Sequence, residues 1–553
     1  MSEAAREFHF SPRPNRASEI NWHTWSKEAF DEARTTGRPI LLSISAVWCH
    51  WCHVMDETTY SHPGVIEIIN RDYVPVRVDN DVRPDINQRY NMGGWPTTAF
   101  LTASGDILTG ATYLPADQMA SALVRVGEYY RTNQAEVLSR VLEARKKSAS
   151  GVARSAGSLD PGMVGEVLEA TKNAYDPEYG GFGGAPKFPQ TDAILLLLEQ
   201  SVVRGDPELR HMAVHTLEAM YGGGTYDHVE GGFFRYSTTQ DWSVPHFEKM
   251  LEDHAGLVHA LALAGMSEAL QKTTGYLDRV LRDPKTGLYA GSQDADEHYY
   301  SMDAEERKAA GAPYVDRRVY TAWNAALAIA YMEAGLPAEK TLDSLFKLAY
   351  RKGEGMTHAE GVAAGRAQGA LQVGQLADQV WSLWAAVRSH RMPIALDLAA
   401  HLEERYADPE LGGYLDHADG EELGRLGERI KPLAENSVAA MALIDLDTLV
   451  GDPTSPYRER ARRALESVAA LPRSYGLTAA VFARALDRLP HAVKVTTKRT
   501  ELAAAARAAD PYAVIDPDGD DRAVVCVGTI CLAPVSTPGA VKDAIEQALR
   551  TRA

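Results

Sequence analysis

The chain has 553 residues, 45% of them hydrophobic and 24% charged, with a formal net charge of -18 at pH 7 and a pI near 5.4. That length exceeds what one hydrophobic core organises, so two to four domains of ordinary soluble globular composition are expected. The acidic balance argues against nucleic acid or an anionic membrane as main partner; Met1 to Arg6 lacks an apolar leader and nowhere do about twenty apolar residues run uninterrupted, so a cytoplasmic protein is expected.

In chain order, Trp25 to Thr36 reads as a helix with Trp25, Ala29, Phe30 and Ala33 on one face, ended by Gly37 and blocked by Pro39. Ile40 to Ser45 suits a buried strand and leads into Trp48-Cys49-His50-Trp51-Cys52-His53, after which a helix can follow. A thiol at a helix N-terminus has a stabilised thiolate, the nucleophile of disulfide exchange. Cys49 is then the attacking sulfur and Cys52 the resolving one, with His50 or His53 favouring the thiolate and Trp48 and Trp51 shaping the contact surface. Only Cys526 and Cys531 accompany them, too few for a disulfide framework, so a catalytic pair without metal or cofactor is the favoured reading. Three others compete with it: the C-x-x-C-H string of haem attachment with His53 as axial ligand, a zinc site using Cys49, Cys52, His53 and His62, and two buried structural cysteines.

Tyr73 to Val78 looks like a second strand, at an edge or bulge because of Pro75. Gly93-Gly94-Trp95-Pro96 enters a third over residues 97–101. Pro96 is the candidate for the cis-proline that faces the dithiol in thioredoxin-like folds, with a plain strand-entry proline as alternative. Asp117 to Asn133 supplies the closing helix. Residues 1–133 are thus expected to form an α/β thioredoxin-like domain and 134–158 a helical linker.

From 159 to 489 amphipathic helical segments follow one another, among them Asp192 to Val203, Pro207 to Met220, Phe247 to Leu270, Val319 to Ala334 and Glu435 to Leu449. Asp176-Pro177-Glu178-Tyr179-Gly180-Gly181-Phe182 recurs in kind at Asp283 to Tyr289 and Asp408 to Tyr414, at successive intervals of 107 and 125 residues. Asp-Pro starts a turn and the glycine allows positive φ, so the copies imply a repeated helix-loop-helix unit. The spacing leaves room for about two hairpins per copy, which fits an all-α (α/α)6 toroid; an open solenoid is the alternative.

The densest polar stretch, Gly222 to Met250, offers Asp227, His228, Arg235, Trp242, His246 and Glu248 as ligand or acid-base candidates, with a self-satisfied buried polar network as the competing account. On the helix expected there, His254 points into the core and Lys249 and Asp253 form an intrahelical pair. His246, just before it, is the better acid-base candidate. Asp294 and Asp296 would share one face of an extended chain, a pairing that glycoside cleavage can use and turn chemistry explains equally well. The small C-terminal α/β region, 490–553, reads as a strand, the helix Glu501 to Ala509 and a hairpin bracketed by Cys526 and Cys531. That pair is free to form a disulfide, bind a metal or stay reduced, the favoured role being exchange with the N-terminal dithiol.

Taken together, Cys49-His50-Trp51-Cys52-His53-Val54-Met55, Arg83-Pro84-Asp85-Ile86, Gly93 to Pro96, Lys187-Phe188-Pro189, Tyr226 to Tyr236, Pro245 to Leu251, Asp294-Ala295-Asp296 and Trp323-Asn324 resemble the spermatogenesis-associated thioredoxin-like family, which fuses a thioredoxin-like module to a six-hairpin toroid. The resemblance implies a thiol or disulfide substrate, or a reductase protein, as partner of the dithiol. It also implies a carbohydrate-like ligand at the toroid mouth, where Trp323 and Asn324 join the candidates, by analogy with sugar epimerases and six-hairpin glycosidases. A redox-sensing ligand-binding protein without turnover is the remaining alternative. The chain departs from the family pattern in a shorter segment before Gly93, in Glu297-His298-Tyr299-Tyr300, and in Leu433-Ala434-Glu435-Asn436-Ser437 where Pro-Ser-Gly-Asn-Ser is usual.

Overall fold

A computed structural model describes residues 8–149, 155–361, 374–418 and 423–550. The N-terminal part alternates α1 (Lys27–Thr36), β1 (Ile40–Ser45), α2 (His50–Glu57), α3 (Pro63–Asp72), β2 (Val74–Asp79), α4 (Pro84–Tyr90), β3 (Thr97–Leu101), β4 (Ile107–Ala111) and α5 (Ala116–Thr132). Its sheet runs β2-β1-β3-β4, with β1 parallel to β2 and antiparallel to β3, the thioredoxin arrangement. β1 is buried at every position and reads as an unbroken apolar run because helices cover both faces of the sheet. Pro75 falls on β2, an edge strand. A helix, Gln134–Ala149, leads away from α5.

Beyond it the toroid closes. Its inner ring is Thr191–Arg204, Leu251–Ala264, Thr321–Glu333, Leu376–Arg388, Leu433–Val450 and Ala480–His491, each packed on the next and the last on the first. Pro207–Gly222, Ser267–Tyr276, Glu339–Ala349, Met392–Arg405 and Tyr457–Glu466 pack outside the helices they follow, and Gly162–Ala174 covers Ala480–His491. A ring closed in this way is the expected toroid and not an open solenoid. Long loops enter the N-termini of the inner helices, all at one end of the ring, and the thioredoxin-like domain sits on that end.

The Asp-Pro repeat is the punctuation of these loops. In each copy the aspartate N–H donates to the carbonyl five residues on, at Gly181, Leu288 and Gly413, while its Oδ1 accepts two amide protons of the turn. Asp227 does the same with Gly232, Val229 and Glu230, so the stretch read as a ligand loop contains a fourth copy. In three of the four copies residue four of the following inner helix pins the aromatic that ends the turn. Asn324 clasps Tyr289, Asn436 clasps Tyr414, and His254 Nε2 accepts the Phe233 N–H at 2.9 Å. His254 is the satisfied core residue expected, its Nδ1–H given to the Met250 carbonyl. Gly232 has φ +81°, and a Cβ there would stand 2.5 Å from the Tyr276 ring. Gly232→Ala is expected to cost about 1–3 kcal/mol in urea denaturation.

Two expectations are corrected. The helix placed from Phe247 begins at Leu251, because Pro245–His246 and Lys249–Met250 are strands paired with Tyr236–Ser237 and Ser292–Gln293. Lys249 is therefore no helical partner of Asp253; its buried Nζ goes to Asp227 (2.7 Å) and the Gly231 carbonyl (2.9 Å).

At the C-terminus four strands lie in the order Val514–Asp516, Lys494–Thr496, Val524–Val527, Ile530–Cys531, with helices Thr500–Ala509 and Pro538–Arg550. Order and directions repeat those of the N-terminal sheet, so this small region is a second, minimal thioredoxin-like motif, with no cysteine at the start of its first helix. It covers the other end of the ring, where Asp487 accepts from Tyr512 Oη (2.8 Å) and Gln200 Nε2 (2.6 Å). Cys526 and Cys531 form a cross-strand disulfide. The expected exchange with Cys49 is ruled out in this arrangement, because inner helices of 12 to 18 residues hold the two ends about 18–27 Å apart.

Candidate redox site beneath the toroid mouth

Cys49 is the N-cap of α2, and its Sγ accepts the Cys52 N–H at 3.2 Å. The two sulfurs are joined as a disulfide, and the bond between Trp95, which packs on their cluster, and Pro96 is cis. A thiolate formed at Cys49 would keep that amide donor and the positive end of the helix.

The toroid covers this pair. Cys49 and Cys52 are 3% and 2% exposed, in one apolar cluster with Ala46, Trp48 and the toroid residue Met250, against which Trp95 and the toroid residue Trp323 pack. The Arg235 guanidinium lies 4.3 Å over the Trp48 ring and 5.1 Å from that of Trp95, and is held by Glu248 at 3.3 Å. Trp48 Nε1–H donates to Asp81 Oδ2 (2.7 Å), a carboxyl that burial and Asp79 push up to about 8. Trp51 alone of the motif's tryptophans faces solvent.

Further clamps fix the cover. Arg89 makes a bidentate pair with Asp416 (2.6 and 3.2 Å), Arg318 pairs with Asp79 (2.7 Å), and His358 reaches the Asp81 carbonyl (2.8 Å). Leu426 of a toroid loop inserts into the thioredoxin-side core with Trp25, Phe30 and Tyr90. Gly105 and Gly424, both at positive φ, allow the two backbones to touch there.

The histidines do not play the expected part. His53 turns to Asp294 (Nδ1 to Oδ2, 3.5 Å), not to the sulfurs; burial drives its pKa down to about 3 and raises Asp294 to about 8, so at neutral pH both are uncharged. Burial also lowers His50. Burial thus disfavours the cationic form of both imidazoles, which leaves thiolate stabilisation to the helix terminus.

The other predicted residues divide. His246 stacks on Tyr236 at 4.9 Å, approaches His50 at 6.5 Å and has Nδ1 3.3 Å from Glu248, so these groups do meet Arg235 at the domain junction. Asp227 does not join them: burial pulls its carboxyl upward, but Lys249 and Arg307 outweigh it and hold it below the usual range. Asp296 caps residues 297–300, exposed His228 contacts the Gly223 carbonyl, and Trp242, fully buried, donates to the Tyr179 carbonyl. A sugar reaction at His246 would have Glu248 as its nearby carboxylate, with Asp227 and Asp294 engaged elsewhere.

The sequence alone assigns no site role to Asp81, His358, Glu252, Asp253 or Glu435. The last three occupy positions two or three of inner helices, one residue or two before the pinning His254 and Asn436, and so face the toroid axis. Glu435 lies where the chain departs from the family pattern. A signal was present in the repeat itself, since position three is Trp323 on the helix where Trp323-Asn324 was singled out.

Residues 13–152 match a thioredoxin-like DsbH family model, described as a protein of unknown function, DUF255. That match falls on the N-terminal domain and the helix that leads away from it. The chain is 33% identical over 329 residues to human spermatogenesis-associated protein 20, a match covering 54% of the chain and 41% of that protein. The rat protein of the same name is 33% identical over 310 residues, covering 50% and 39%. The chain thus spans about two fifths of the length of the curated relatives it matches. Among solved structures, a cellobiose 2-epimerase from Spirochaeta thermophila is 15% identical with a TM-score of 0.43, covering 64% of the chain and 99% of the epimerase. A thioredoxin from Thermus thermophilus is 22% identical with a TM-score of 0.19, covering 20% and 90%. No helix among the described residues is long and apolar enough to cross a membrane.

Proposed function

We propose that the chain is a thiol-disulfide oxidoreductase whose dithiol works under the toroid. The observation that carries this reading is Cys49 at the N-cap of α2, within bonding distance of Cys52 and holding an amide donor on its sulfur. In the reduced protein the Cys49 thiolate attacks one sulfur of a substrate disulfide, that S–S bond breaks, and the first substrate thiolate leaves and takes up a proton. Cys52 then loses its proton and attacks Cys49 Sγ, releasing the second thiolate; the substrate gains the two electrons that the dithiol gives up.

Cys49→Ser is expected to slow reaction of the reduced protein with a chromogenic aromatic disulfide by about a thousandfold or more, since no other sulfur has this setting. Cys52→Ser is expected to stop at a mixed disulfide on Cys49, visible by mass. An unchanged rate in Cys49→Ser overturns the reading.

A further inference from the structure

The cover over the dithiol has a second face. Met250, which shares the apolar cluster of the sulfur pair, is followed by Glu252 and Asp253 on the helix that starts at Leu251, within about 5 Å along its axis. Glu252 is exposed and yet ringed by protein charges, with Asp253, Arg235 and Glu435 around it; it faces space inside the ring, not the outer surface. Asp253 Oδ2 is buried and has no hydrogen-bond partner among the described residues. Trp323, at the position equivalent to Asp253, packs on the dithiol cluster and is itself only partly buried, so it borders both compartments. The nearby cation, Arg235, is occupied by Glu248 and two tryptophan faces. Burial raises Glu252 to about 7 and Asp253 to about 6, the behaviour of carboxylates that lack a cation of their own.

A series of aromatic rings lies at the domain junction. Phe188, 37% exposed, stacks on Tyr236 at 4.6 Å, Tyr236 on His246 at 4.9 Å, and His246 meets His50 beside the dithiol. Aromatic faces in series attract a cation as well as an apolar chain. Cys49 and Cys52, 3% and 2% exposed in the cluster with Met250, Trp323 and Trp95, disfavour a disulfide carried on a folded protein.

Resting on the oxidoreductase reading, we propose that the substrate exchanging with Cys49 is a low-molecular-weight disulfide carrying an amine, its cation against Glu252 and Asp253 and its sulfurs at the Met250 side of the compartment. The reaction is the balanced exchange given above: the S–S bond of the small disulfide is reduced to two thiols while Cys49–Cys52 is formed.

The test uses the full chain, reduced with dithiothreitol and freed of it, and follows oxidation of the dithiol by cystamine (cationic), bis(2-hydroxyethyl) disulfide (neutral), dithiodiglycolate (anionic) and insulin. Cystamine is expected to react about tenfold or more faster than the neutral disulfide, the anion slower still, and insulin not measurably. Glu252→Gln and Asp253→Asn are each expected to shrink the cystamine-to-neutral ratio severalfold. If either variant fails to fold, raising the salt concentration on the unaltered protein is expected to shrink the same ratio. Equal rates for the three charge types, or insulin reacting as fast as cystamine, overturns the substrate class while leaving the dithiol chemistry intact. Silence towards every disulfide overturns the oxidoreductase reading itself.

Discussion

Arg89→Ala is expected to destabilise the protein by about 3–5 kcal/mol, the largest effect of any single substitution at the junction. The Arg89 side chain is fully buried and all five of its N–H groups are used. Two go to Asp416, and the others to the carbonyls of Arg425 (2.8 Å), Glu428 (2.6 Å) and Asp85 (3.2 Å). Removing it strands a buried carboxylate, whose desolvation His417 at 3.0 Å offsets only in part, together with three carbonyls. Arg89→Lys is expected to recover little, because an ammonium offers three donors without the planar fork. The same change loosens the loop that carries Leu426 into the thioredoxin-side core, so reduced Cys49 is expected to be alkylated faster by iodoacetamide in Arg89→Ala below its unfolding transition. Urea midpoints and alkylation rates check both; a midpoint within about 0.5 kcal/mol of the parent would remove the junction from the account of why the dithiol is buried.

What was legible in the sequence was what is local. The Ile40 to Ser45 run, the cysteines at the next helix start and Pro96 at the entry to β3 lie on continuous elements, and the Trp95–Pro96 bond is cis. The Asp-Pro turns were legible for the same reason, since side chain and amides belong to one six-residue loop. Asp227 was harder: its copy lacks the proline, and the surrounding histidine, arginine and aromatics imitate a binding loop, so only the Lys249 and Arg307 pairings reveal a structural role. Glu252 and Asp253 look like ordinary first-turn acids of a helix. Ring closure, contributed by helices more than two hundred residues away in sequence, turns them inward, and no local pattern encodes that. The second thioredoxin-like motif escaped notice because its strands are only two to four residues long and periodicity has too little to work on.

His358→Gln is expected to flatten the alkaline side of the stability profile. His358 Nδ1 lies 2.8 Å from Asp378 Oδ2 and Nε2 2.8 Å from the Asp81 carbonyl. Both neighbours are acceptors, so both ring nitrogens must carry protons for both bonds to form, and only the imidazolium does this. Burial alone would lower its pKa; the Asp378 charge and the two hydrogen bonds outweigh it and raise the pKa to about 9. Burial pulls Asp378 upward at the same time, but its carboxylate also accepts the Gln375 and Ala322 amides, which favours the ionised form, and we take the pair as charged. A group whose folded pKa is raised contributes stability that is complete below its unfolded pKa, about 6.5, and is lost as pH climbs through about 9. The span corresponds to roughly 3 kcal/mol. Urea midpoints of the parent are therefore expected to fall from pH 6.5 to pH 9.5. Those of His358→Gln start lower, because one amide NH2 cannot bridge two acceptors on opposite sides, and change less, so the two curves converge near pH 10. Curves that run parallel across that range would mean the imidazole is neutral and the clamp between the toroid and the Asp81 loop is no cation. Since Asp81 also holds the Trp48 indole beside Cys49, convergence would tie the seating of the dithiol to the protonation of a histidine that the sequence places more than three hundred residues away.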